Sequence, residues 1–305
     1  MNDERAIVRE LPFAIDCEAA FATLFGTSRA AFWLDSGGSD VERARWSYLG
    51  DASGPGAGTA VADAPDAAAH ARILAGLSRA PRRRDSAIPS PFTGGRVGWF
   101  GYEFRDRGRT PRRRARTPDV ALIDTRRFLA VDHVAGRTFV IALAQHATDV
   151  SEQRGWCDAA STRIATLPTL DAPASATLSR VRFRLARDRA RYERDVERAL
   201  GWIREGESYQ ICLTNEFTCD LALDPFSLYR TLRRINPAPY AAYLTIAGNA
   251  VLSASPERFL TLDSAGNVES KPVKGTIARA SDPIEDERAA ATLRASAKDR
   301  AENVM

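Results

Sequence analysis

The 305-residue sequence predicts an α+β fold built on antiparallel sheets. Three observations point there. Short apolar or alternating runs are bounded by Gly, Asn and Ser, and apolar positions recur at helical spacing between them. The composition, 44% hydrophobic and 27% charged, is that of a chain able to bury a sizeable core. The length admits two ordinary domains or one large α+β body.

In the first half, residues 30–34, 45–49 and 97–104 read as strands, and 128–133 with 138–143 as a hairpin closed around Ala135-Gly136. Helices are expected over 18–25, stopped by Gly26, and over 65–77, where Pro65 suits a first helical position. Residues 168–179 (PTLDAPASATLS) have linker composition. The expected organisation is an N-terminal domain over 1–167, a linker over 168–179 and a second domain over 180–305.

In the second half, Tyr192, Val196, Leu200 and Ile203 share a helical face, and Gly206 ends that helix. Tyr209, Ile211 and Leu213 alternate as a strand. Asp224 caps a helix that has Pro225 at its first position and stops at Pro237. Strands over 240–246, 251–255 and 258–262 are separated by turns at Gly248-Asn249 and 264–267, a meander that delivers 268–274 as its next strand. Asp282, Pro283 and Glu285 open one further helix, and Ser296 with Asp299 opens another.

The net charge of +4 hides a local excess, seven arginines between Arg105 and Arg116. No recognition helix, finger or aromatic platform accompanies that run, so it reads as a solvated loop rather than a nucleic-acid patch. Cys17, Cys157, Cys212 and Cys219 lack CxxC spacing and only three histidines are present, which argues against a zinc site or a disulfide framework. No apolar run reaches the length of a membrane span and the N-terminus is charged, so a cytoplasmic protein is expected.

Forty arginines stand against three lysines, Lys271, Lys274 and Lys298, all after residue 270. An amine that is kept where the chain otherwise writes Arg suggests a task that needs a deprotonatable group. Two of the three lie in Lys271-Pro272-Val273-Lys274-Gly275-Thr276, where solvated strand-end charges are the plain alternative. Asp299 and Glu302 are three apart on one helical face, suited either to a hard cation such as magnesium or to an ion-pair lattice with Lys298 and Arg300.

Five segments in order, GESYQICLTNEF (206–217), DPFSLYRTLRRINPAPYAAYL (224–244), SASPERFL (253–260), KPVKGT (271–276) and SAKDRAENVM (296–305), make the chain resemble the chorismate-utilising enzymes. That family includes the anthranilate, aminodeoxychorismate and isochorismate synthases. Weaker likenesses in the first half are Leu34-Asp35-Ser36, Arg45-Trp46-Ser47 and the glycines from Gly94 to Gly98 with Tyr102-Glu103. The resemblance implies antiparallel sheets in a sandwich flanked by helices, as in anthranilate synthase component I. It also implies that family members continue beyond the position of Met305, so that the catalytic domain here is incomplete.

Lysine before Gly275-Thr276, where the anthranilate and isochorismate branches have alanine, resembles the aminodeoxychorismate branch. By that likeness Lys274 would add to C2 of chorismate and Glu257 would protonate the departing C4 oxygen, although Glu257 could equally be a structural partner of Arg258. Gly275 and Thr276 would contact substrate. Glu302 and Asp299 would hold Mg2+ against the substrate carboxylate. Ammonia would come from a glutamine amidotransferase subunit, and the product would serve para-aminobenzoate and folate synthesis. Asp35, Ser36, Arg45, Trp46 and Ser47 match a tryptophan pocket of the family. Anthranilate synthase component I, or an inactive fragment binding an amidotransferase or tryptophan, are the rival readings. Ile277-Ala278 and Cys212 depart from the family's usual Arg-Pro and Asn.

Overall fold

A computed structural model describes residues 5–36, 44–63, 66–78, 86–106, 115–173, 181–263 and 265–304. Residues 107–114 of the arginine-rich run, and Pro65, lie outside them. The chain divides into two compact units, Met1–Asp171 with Tyr229–Met305, and Ala172–Leu228.

The larger unit begins with β1 (Arg5–Leu11), α1 (Cys17–Leu24), β2 (Ala31–Asp35), β3 (Trp46–Asp51), β4 (Gly58–Ala62) and α2 (Ala67–Leu77). It continues with β5 (Gly95–Phe100), β6 (Val120–Thr125), β7 (Arg127–Asp132), β8 (Arg137–Ala144) and α3 (Val150–Ala165). The smaller unit holds β9 (Arg184–Leu185), α4 (Arg189–Arg204) and β10 (Phe217–Thr218), and the boundary with the larger falls inside α5 (Pro225–Ile235). The chain then forms β11 (Tyr240–Ile246), β12 (Asn249–Ser255), β13 (Thr261–Leu262), β14 (Val268–Glu269), α6 (Pro283–Ala295) and α7 (Ala297–Val304).

Seven strands in the order β1-β8-β7-β3-β2-β11-β12 form one antiparallel sheet, and β4-β6-β5 form a second. The sheets face each other. Period-two alternation makes this visible along β6, whose Ala121 and Ile123 join Phe32, Phe128, Phe139, Ile141 and Leu244 in the core between the sheets. Val120 and Leu122, on the opposite face, pack with Ile73 of α2. Each fully buried Phe or Ile here contributes about 1.5–3 kcal/mol relative to exposure. The expected sandwich flanked by helices is therefore present: α2 covers the small sheet, and α3 lies on β1 and β8.

Gly98 shows why a side chain is missing from β5. A methyl group there would come within 2.8 Å of Leu122 Cα, so only glycine lets β5 approach β6 at that register. The hairpin of β7 and β8 closes as expected: Asp132 accepts from the amides of Val134 and Ala135, at 3.1 and 3.0 Å, and Gly136 takes φ +64.

Three sequence expectations shift. Ile246 pairs with Asn249, so the β11–β12 turn is Ala247-Gly248, both at positive φ as a two-residue hairpin requires, one residue earlier than expected. Residues 209–213 form no strand among the described residues, although Ile211 and Leu213 are half-buried and Cys212 is exposed, because no neighbouring strand supplies a ladder. The strands expected at 258–262 and 268–274 shrink to β13 and β14, which pair only with each other, leaving Lys274 in irregular chain. In addition, β11 pairs with β2, so one sheet contains strands from both sides of residues 168–179.

α1 and α2 start at Asp16 and Asp66, whose carboxylates accept from Ala19 and Ala69 amides. In the smaller unit, Asp188 caps α4, and Asn215 exchanges hydrogen bonds with the Arg187 backbone at 3.0 and 2.9 Å. All four cysteines are free, and no helix among the described residues is long and apolar enough to cross a membrane.

Candidate active site

β12 ends at Ser255, whose hydroxyl donates to the Glu257 carbonyl at 3.0 Å and accepts from its amide at 3.4 Å. This turn presents Glu257 half-buried immediately beyond the sheet. Its neighbour Arg258 pairs with Glu269 at 2.6 Å, not with Glu257. Among the described residues the Glu257 carboxylate has no ion-pair partner, which removes the structural pairing considered for it.

Glu269 also receives Lys271 at 2.9 Å. That ammonium, with Arg258 behind it, holds the Glu269 carboxyl below the usual carboxylate range. The Arg258–Glu269–Lys271 ladder ties the segment carrying Glu257 to the one carrying Lys274. The hairpin between them is closed by Asp263, which accepts from Ala265 and Asn267 amides and from the Asn267 side chain, each at 2.8 Å.

The three lysines are now distinguished. Lys271 is paired with Glu269, and Lys298 lies 3.7 Å from Glu302 one turn along α7. Lys274, half-buried, has no carboxylate partner among the described residues. No hydrogen bond or ion pair joins Lys274 to Glu257 among the described residues.

Gly275 takes φ +75, a left-handed conformation that glycine adopts without cost. A methyl group at its Cα would stand 2.5 Å from Asp299 Cγ and 2.8 Å from Asp299 Oδ1. The loop holding Lys274 is thus packed directly on the first turn of α7, where the Ser296 hydroxyl accepts from the Asp299 amide at 3.3 Å. Thr276 is exposed. Downstream, Arg279 grips Asp286 at 2.7 Å and anchors the loop exit to α6.

Asp299 and Glu302 are both half-buried on α7. Among the described residues no group of three or more His, Cys, Asp or Glu side chains could hold a metal ion. Two carboxylates on one face nevertheless fit a hard cation that takes its other oxygens from substrate and water, the usual habit of magnesium.

The residues expected as a tryptophan pocket come together at one corner of the large sheet, where β2 ends and β3 begins. The Ser36 amide donates to Ser47 Oγ at 3.1 Å, the Ser36 hydroxyl to the Trp46 carbonyl at 2.5 Å, and Ser47 Oγ lies 2.8 Å from His133 Nε2. Arg45 pairs with Asp132 at 2.7 Å, and its guanidinium carbon lies 5.4 Å from the Trp46 ring centroid. Burial pulls the Asp132 carboxyl up, but Arg45 and the Ala135 and Val134 amides outweigh it and hold it below the usual range.

Sequence reading missed the charge network beneath this corner. Asp35, 3% exposed, accepts from Arg233 Nε at 2.7 Å and from the Tyr229 hydroxyl at 3.3 Å. Glu18, 6% exposed, receives Arg230 at 2.6 Å, Arg233 at 3.3 Å and Arg234 at 2.8 Å. The available signal was the spacing of the three arginines, which places them on one side of α5. Arg233 also lies 4.7 Å from the Trp33 ring centroid. Burial beside Asp35 pushes the Cys17 thiol up to about 12.

Paired sheets, a Lys274-Gly275 loop seated on a helix that carries two carboxylates, and the ordered motifs define a class. Residues 30–305 match the family of chorismate binding enzymes, and the chain belongs to that family. The chain is 37% identical to aminodeoxychorismate synthase of Streptomyces pristinaespiralis, over 100% of its own length and 45% of the relative's. For the aminodeoxychorismate synthase of Streptomyces griseus the values are 37%, 99% and 44%. The chain therefore spans less than half the length of these curated relatives. Anthranilate synthase component I from Streptococcus pneumoniae superimposes with a TM-score of 0.66 at 22% identity, covering 86% of this chain and 59% of that one, a likeness of fold.

Proposed function

We propose that this chain supplies the chorismate-aminating part of an aminodeoxychorismate synthase, replacing the C4 hydroxyl of chorismate with ammonia to give 4-amino-4-deoxychorismate for para-aminobenzoate and folate synthesis. The observation that carries this reading is Lys274: a half-buried lysine without a carboxylate partner among the described residues, standing before a left-handed Gly275.

Direct displacement of hydroxide by ammonia is slow because hydroxide leaves poorly, and a covalent detour splits the barrier. The neutral Lys274 amine adds at C2 while the C4–O bond breaks and the diene shifts. Glu257 gives its proton to the departing oxygen, which leaves as water. Ammonia then adds at C4, the C2–N bond breaks to release the neutral Lys274 amine, and the new C4 ammonium returns a proton to Glu257. Gly275 and Thr276 flank the bound ring. Glu302, with Asp299 beside it, would hold magnesium, whose charge when bound would neutralise the C1 carboxylate. A glutamine amidotransferase subunit would deliver the ammonia, and the reaction would take place in the cytoplasm.

A regulatory or structural tryptophan at Asp35, Ser36, Arg45, Trp46 and Ser47 is a second component of the proposal. The exposed Arg45 beside the Trp46 ring supports it. The test of the main reading is incubation with chorismate, Mg2+ and an ammonium salt, with mass analysis of the products. Aminodeoxychorismate is expected. Anthranilate would move the chain to the rival branch, and unchanged chorismate would end the catalytic reading for this polypeptide.

A further inference from the structure

Asp299 has a second use that its place on an acidic helix face does not suggest. Its carboxylate makes no ion pair among the described residues, whereas Glu302 is shared with Lys298. Instead its side chain fills the space that a Gly275 side chain would need, with Cγ, Oδ1 and Cβ at 2.5, 2.8 and 2.9 Å from the position of a methyl group there. All three distances are below ordinary van der Waals contact, so the loop and α7 approach this closely only because residue 275 is glycine. The contact is held from both sides. Gly275 sits at φ +75, and the Asp299 amide is tied to Ser296 Oγ at the start of α7.

The position of this contact is chemically significant. Lys274 immediately precedes Gly275, and Glu302 follows Asp299 by three residues, about 4.5 Å along the same helix. Whatever sets the Gly275–Asp299 approach therefore sets the spacing between the amine and the acid that would face the metal.

We propose that Asp299 is a positioning residue for Lys274: its side chain, through its shape rather than its charge, seats the Gly275 backbone on α7 and so fixes where the Lys274 amine points. The proposal rests on Lys274 being the nucleophile.

Competitive acetylation with trace acetic anhydride, read lysine by lysine by peptide mass spectrometry, tests it without requiring turnover. Lys271, held by Glu269, serves as the internal reference in the same molecule. Gly275→Ala, which adds a methyl at a left-handed φ and into Asp299, is expected to change the normalised Lys274 rate by about fivefold or more. Asp299→Asn keeps the shape and is expected to stay within about twofold of wild type, by the small cost of isosteric replacement. Combining Gly275→Ala with Asp299→Ala removes the two closest contacts, to Cγ and Oδ1, while Cβ at 2.9 Å and the left-handed φ remain, so the methyl should change the rate by less in this background than in wild type, the non-additivity that contacting residues show.

If the methyl has the same effect in both backgrounds, or if Asp299→Asn shifts the rate as Asp299→Ala does, the positioning role is overturned. Lost coupling with aminated product still formed removes this proposal alone. Intact coupling without product removes the functional reading alone.

Discussion

Replacing Asp35 by Asn removes one charge and almost no volume from the network under the large sheet. Asp35 is 3% exposed and anchors Arg233 at 2.7 and 3.4 Å, with the Tyr229 hydroxyl at 3.3 Å. Deleting one partner of a buried pair typically costs about 3–5 kcal/mol. Two features lower the cost here. Arg233 keeps Glu18 at 3.3 Å, and its side chain is 25% exposed, so water takes up part of the lost interaction. Asn also still accepts one hydrogen bond, at roughly half the strength of a charge-assisted one. The expected loss is about 2 kcal/mol, or about 4–8 °C in the thermal midpoint for a unit of this size. Thermal unfolding followed by circular dichroism, for Asp35→Asn, Arg233→Met and the double variant, should give a coupling of about 1–2 kcal/mol between the two sites. A neutral Asp35→Asn, or strictly additive losses, would refute the reading of this pair as a tie between β2 and α5.

Two further outcomes follow from the same corner and from the thiols. Burial pushes the His133 imidazole below its ordinary 6.5, the Asp35 and Asp132 charges opposing and Arg233 assisting. A lowered folded value means that protonation favours the unfolded chain, so stability is held above pH 6.5 and declines as pH falls through 6.5 toward the folded midpoint; the His133 ring resonances in NMR should titrate below 6.5, and a midpoint at or above 6.5 contradicts this. Cys17 and Cys157 are buried with thiols pushed up to about 12, whereas Cys212 is exposed and Cys219 half-buried. Ellman's reagent should therefore modify Cys212 and Cys219 in the native protein and reach the other two only on unfolding; fast modification of all four would count against the described packing.

Local patterning made much of the fold legible. The hairpin of β7 and β8 follows from two β-branched and aromatic runs around Ala135-Gly136, and α4 from the spacing of Tyr192, Val196, Leu200 and Ile203. Pairing between distant strands was not legible. Nothing local in Tyr240–Ile246 says that its neighbour is Ala31–Asp35, and alternation at 209–213 cannot create a ladder without a partner. The site divides the same way. Lys274 stood out because the chain otherwise uses arginine, and Glu257 and Glu302 came with the family motifs. The Gly275–Asp299 contact and the meeting of the α5 arginines with Glu18 join residues distant in the chain; the arginine spacing puts those side chains on one side of α5 but does not name their partner.

The covalent role of Lys274 is tested most directly by mixing the protein with chorismate and Mg2+ in the absence of ammonia, quenching rapidly and mapping peptides by mass spectrometry. A chorismate-derived adduct, formed with loss of water, is expected on the peptide containing Lys274. None is expected on Lys271 or Lys298, and none in Lys274→Ala. Aminated product formed at an undiminished rate by Lys274→Ala would contradict the covalent role.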